Sequence, residues 1–79
     1  MRDEEIYKEA GVRIQGLRER WSLTREEMAE FVGLSAKHIY EIEAGRTGFS
    51  ASTLYRIATA FGVGCDYIMT GKEDKNLEV

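Results

Sequence analysis

The sequence predicts an all-α fold, a compact five-helix domain. Three observations carry that reading. The 79 residues contain no proline and eight glycines, which suits helices punctuated by glycine. Apolar residues recur at spacings of three and four over most of the chain. Hydroxyl residues stand just before several of these stretches, where helix N-caps belong.

Ile6, Ala10, Ile14 and Leu17 form one apolar stripe, which places a first helix over roughly residues 4–20. Gly11 and Gly16 inside it each cost about 1 kcal/mol relative to alanine, so this helix leans on tertiary packing. Thr24 and Glu27 have the spacing of a capping box and open a short second helix. Gly33 ends it as a left-handed residue. Ser35 caps a third helix, with Ile39 and Ile42 on one side and Gly45 at its end. Ser50 caps a fourth, with Leu54, Ile57, Ala58 and Phe61 inward and Gly62 as its stop. A short fifth helix over about 65–70 carries Tyr67, Ile68 and Met69 and ends at Gly71. Residues 1–71 therefore read as one domain, and 72–79 as a polar, frayed tail.

Composition bounds the function classes. Eleven Lys and Arg against fourteen Asp and Glu give a formal charge of −3. The acidity sits in the tails: Arg2 and Lys8 face Asp3, Glu4, Glu5 and Glu9, and Lys72 and Lys75 face Glu73, Asp74 and Glu78. The centre is neutral. One Cys and one His form neither an internal disulfide nor a four-ligand metal site. No apolar run approaches the roughly 18 residues of a membrane span, and no signal peptide precedes the polar start, so a cytoplasmic chain is expected. There is no nucleophile–base–orienter set and no cofactor loop. Gly62-Val63-Gly64 has no strand before it and reads as a helix stop. Glu26, Glu27 and Glu30 read as a helix cap and solvated face, and Cys65 as a packing residue. An enzyme is not expected, and neither a cofactor nor a metal.

The most informative stretch runs from Arg25 to Ala44. Met28, Val32, Leu34, Ile39 and Ile42 are apolar, Ala29 is small and Gly33 stands where the chain turns. A helix-turn-helix needs this pattern. The small residue lies where the two helices cross closely, the glycine takes the positive φ of the tight turn, and the apolar positions fasten both helices to the core. The outer face of the second helix of the pair is left free.

With Arg13 to Arg18, Leu23 to Ala29, Val32 to Ser35, Ile39 to Gly45 and Thr53 to Val63, the chain resembles, over about residues 11–71, the XRE-type family of phage repressor and Cro DNA-binding domains. The resemblance implies a repressor-like domain bound to double-stranded DNA as a homodimer, with residues 25–32 across the DNA backbone and the helix 35–44 in the major groove. Ala36, Lys37 and Glu41 then match base-reading positions, flanked by His38 and Tyr40. Lys37 suits guanine or, alternatively, a phosphate; Glu41 suits cytosine or is simply solvated; Ala36 suits a thymine methyl. Arg25, Ser35, Arg46, Ser50 and Ser52 match phosphate contacts. Arg18 and Glu43 match a partly buried ion pair between the first and third helices.

The chain also departs from the family pattern. Arg25 replaces a common glutamine, Phe49 stands near a common proline, and Phe31 occupies a commonly polar position. The recognition helix is poor in positive charge, which implies modest, salt-sensitive affinity and reliance on dimer avidity. These departures keep a second expectation open, a protein-interaction module such as an antitoxin or anti-repressor component, with a protein partner held by the same helices. For the homodimer, the candidate surface is the fourth-to-fifth helix region with Tyr67, Ile68 and Met69.

Overall fold

A computed structural model describes residues 2–72. Among them are five helices and no strand: α1 Asp3–Arg20, α2 Arg25–Val32, α3 Ala36–Glu43, α4 Ala51–Phe61 and α5 Cys65–Thr70. The tail expected at 72–79 lies, apart from Lys72, outside the described residues.

Local chemistry sets the helix ends. α1 begins one residue earlier than its apolar stripe indicated. Its first turn holds Asp3, Glu4 and Glu5 and its last turn Arg18 and Arg20, so both ends complement the helix dipole. The Arg2 N–H donates to Glu5 Oε1 at 3.2 Å. After Trp21, Ser22 takes a φ of +58° and the chain turns into α2. Both bonds of the Thr24 capping box are present: Thr24 Oγ1 accepts the Glu27 N–H at 3.0 Å, and the Thr24 N–H donates to Glu27 Oε1 at 2.8 Å. Gly33, at φ +77°, closes α2. Ser35 accepts from the His38 N–H and Ser50 from the Thr53 N–H, each at 3.1 Å. α3 stops at Glu43, with Ala44 as its cap, two residues short of Gly45.

The core is built from Ile14, Leu17, Met28, Ile39, Ile42, Ile57 and Ile68, all fully buried. Each such side chain contributes about 1.5–3 kcal/mol. α1 packs on α3 and α5, α2 on α3 and α4, and α4 on α5, so α1 is the post to which α3 and α5 are fixed. Gly11 makes this possible: it is buried, and a β-carbon there would overlap the carbonyl oxygen of Ile42.

Three side chains fall differently from the sequence pattern. Ile6 and Leu54 are only half-buried. Ile68 points wholly inward while Tyr67 and Met69 pack at the core's edge, so Ile68 is removed from the surface considered for self-association. Phe49 meets Tyr7 edge to face, with ring centroids 5.0 Å apart. This contact seats the α3–α4 loop on α1.

Candidate nucleic-acid interface

α3 owes its orientation to its inner face, where Ile39, Ile42 and Glu43 are buried. Lys37, Tyr40 and Ala44 are exposed on its other side, with Ala36, His38 and Glu41 half-buried beside them. Among the described residues Lys37 has no ion-pair partner. The His38 N–H is taken up by the Ser35 cap, and the Glu41 carbonyl accepts the Arg46 N–H at 3.0 Å.

Behind this helix lies a buried carboxylate. Arg18 grips Glu43 with two bonds, Nε to Oε2 at 2.7 Å and Nη2 to Oε1 at 3.1 Å, and its Nη1 donates to the Leu23 carbonyl at 2.8 Å. The Glu43 side chain is 1 % exposed and that of Arg18 10 %. The bond to Glu43 raises the Arg18 pKa, burial acting in the opposite direction. Glu43 also accepts from Arg25 Nε at 3.1 Å. The sequence pattern placed Arg25 with the phosphate contacts and paired Glu43 with Arg18 alone; in the structure both arginines share it. One carboxylate thus holds two guanidiniums, while Glu26 and Glu27 stand in the first turn of α2.

Arg25 is also one of two cations at the Tyr40 ring. Its Cζ lies 5.3 Å from the ring centroid, and that of Arg46 lies 5.4 Å from it. The structure thus brings together Arg25 from α2, Tyr40 from α3 and Arg46 from the following loop, two expected phosphate contacts and a residue expected to flank the base readers. Ser50 and Ser52 form a second group at the start of α4, with their hydroxyls 3.3 Å apart. Of the first-turn backbone N–H groups of α4, that of Thr53 is taken by the Ser50 hydroxyl; those of Ala51 and Ser52 precede the first bond within the helix.

Arg56 escaped the sequence reading. Its Nη1 donates to the Gly33 carbonyl at 3.3 Å and ties α4 to the turn between α2 and α3. Nothing local signals it, because its partner is a backbone atom far away in the chain. Arg13 likewise donates to the Ile68 carbonyl at 2.9 Å, pinning α5 to α1. No helix among the described residues is long and apolar enough to cross a membrane.

Two short helices joined by a left-handed glycine turn, the first crossing behind the second, define a helix-turn-helix protein. The helix-turn-helix domain family matches residues 11–74, and the chain belongs to that family, in its XRE-type branch of DNA-binding regulators. Over 63 residues it is 38 % identical to a protein of Rhodospirillum rubrum described as an uncharacterized transcriptional regulator in the ATPase CF(0) region. That match takes in 80 % of this chain and 58 % of the relative, so the chain spans little more than half the relative's length. The fold is similar to that of the P22 c2 repressor, solved in complex with a synthetic operator, with a TM-score of 0.76 and 24 % identity over 80 % of this chain and 96 % of that one.

Proposed function

We propose that the chain is a sequence-specific transcriptional regulator of repressor type, reading the major groove of double-stranded DNA with α3. What carries this reading is the outer face of α3. The helix is fixed to the core by Ile39, Ile42 and Glu43, its exposed side holds Lys37 and Tyr40, and Arg25 and Arg46 stand at that tyrosine. Lys37, Glu41 and Ala36 are the base-reading residues, with His38 and Tyr40 at the flanks. Arg25, Ser35, Arg46, Ser50 and Ser52 hold phosphates and set the register. Residues 1–71 form the binding unit, the protein works in the cytoplasm where its DNA lies, and it binds as a homodimer to a two-fold site with half-sites about one turn apart.

The test is selection from a randomised duplex library by the purified protein, followed by anisotropy titrations of the enriched sequence at two salt concentrations. The expected result is a two-fold motif bound more tightly than random duplex, with a steep salt dependence. No enrichment, with weak binding that vanishes in moderate salt, would refute it.

One observation favours a second reading, the protein-interaction module. Trp21 and Phe31 are each 49 % exposed and form with Phe61 a three-ring cluster with centroids 5.3–5.9 Å apart. If that patch is the functional surface, changes at Phe31 abolish activity and changes at Lys37 do not.

A further inference from the structure

We infer that Tyr40 is a positioning residue for phosphate binding, a platform whose ring holds the guanidiniums of Arg25 and Arg46 as a two-armed clamp beside the reading helix. This rests on the DNA reading above. Both cations lie within the roughly 6 Å over which a ring attracts a guanidinium. They come from different elements, and like charges do not gather at one ring without a reason. The ring's attraction supplies part of it and, for Arg25, the bond to Glu43 another part; the guanidinium nitrogens left over suit a phosphate.

Arg25 is fixed twice, by the ring and by Glu43, which Arg18 in turn anchors. With Nε engaged, its two terminal nitrogens have no hydrogen-bond partner among the described residues. Arg46 is exposed and has no ion pair among them. An arginine side chain has many rotamers to lose when it grips a phosphate, and a ring that already restricts them reduces that loss. The sequence counted Tyr40 among residues flanking the base readers. The ring, not the hydroxyl, is the part that meets charged neighbours.

The experiment compares wild type, Tyr40→Phe and Tyr40→Leu by anisotropy on the selected duplex and on mixed-sequence duplex, at two salt concentrations. Circular dichroism and thermal melts establish that each variant folds. Tyr40→Phe is expected to bind within about twofold of wild type. Tyr40→Leu is expected to bind every duplex about five- to tenfold more weakly, with a salt slope lower by about one. In an Arg25→Ala/Arg46→Ala background Tyr40→Leu should change nothing further. A second readout needs no DNA: upfield ring-current shifts of the Arg25 and Arg46 side-chain protons in wild type and Tyr40→Phe, absent from Tyr40→Leu.

Wild-type affinity in Tyr40→Leu, or a loss in Tyr40→Phe confined to one base pair, overturns the platform and leaves the DNA reading standing. Missing ring-current shifts overturn it as well. A wild-type chain with no affinity for any duplex overturns the DNA reading, and the clamp with it.

Discussion

Gly11 lies so close beneath the carbonyl oxygen of Ile42 that a methyl group at position 11 would occupy the same space. The contact brings α1 and α3 together at backbone distance, and through it α3 takes its place on the domain. Gly16, one and a half turns further along α1, has no atom within 4 Å of where its β-carbon would stand. Two glycines in one helix thus have opposite meanings.

Alanine at each position separates them. Gly11→Ala should lower stability by about 2–3 kcal/mol, the upper part of the range for forced overpacking. Gly16→Ala should raise it by about 0.5–1 kcal/mol, because alanine gains in helix propensity and meets nothing. Urea denaturation midpoints should therefore move in opposite directions. A Gly11→Ala chain as stable as wild type would mean that α1 and α3 are further apart in solution.

The buried pair of Arg18 and Glu43 should be costly to break and less costly to replace. Glu43→Leu leaves Arg18 buried without its carboxylate and should lose about 3–5 kcal/mol; Arg18→Met leaves Glu43 still held by Arg25 and should lose less. The double variant should recover a large part of that loss. Because its bond to Glu43 raises the Arg18 pKa above the ordinary value, the stability it contributes is fully present below that ordinary value and disappears only as pH climbs through the raised one. The difference between wild type and Arg18→Met should accordingly stay constant from neutral to mildly alkaline pH. Thermal melts across that range check both statements.

Lys37 and Arg46 should respond differently in DNA titrations. Lys37→Ala should relax preference at a single base pair, by about 1–3 kcal/mol, while leaving binding to random duplex nearly as it was. Arg46→Ala should weaken all sequences alike and reduce the salt slope by about one. Repeating the library selection with each variant reads the first effect, and titration against salt the second. A Lys37→Ala variant with unchanged base preference would assign that side chain to a phosphate or to solvent.

Phe31→Ser distinguishes a DNA regulator from a protein-holding module. Phe31 meets the rings of Trp21 and Phe61 and is not one of the residues proposed to meet DNA. Duplex affinity should stay within about twofold of wild type. Its half-exposed ring should cost only about 1 kcal/mol of stability when removed, within the usual range for single substitutions. The emission of Trp21 should change as its ring neighbour is lost. An intact fold with lost activity would favour the exposed aromatic cluster as the functional surface.

The helices and their ends were legible in the sequence because they depend on near neighbours. Thr24 and Glu27, Ser35 before α3, Ser50 before α4 and the positive φ values of Gly33 and Gly62 are matters of residues three or four apart. The apolar spacing of Ile14, Leu17, Ile39, Ile42 and Ile57 likewise named most of the core. Only the tertiary structure decided how charged and aromatic side chains are shared between elements. Gly11 read as a weak point of its helix and is the close contact that α3 requires. Arg25 read as a free phosphate ligand and is half engaged by Glu43, Tyr40 carries two guanidiniums, Arg56 holds a turn on another helix, and Phe49 finds Tyr7 across the chain. Propensity and capping act over one helical turn and are written in adjacent residues. A close backbone approach, a shared carboxylate or a ring between two cations joins positions far apart in the chain, and exists only once the core has fixed the helices against one another.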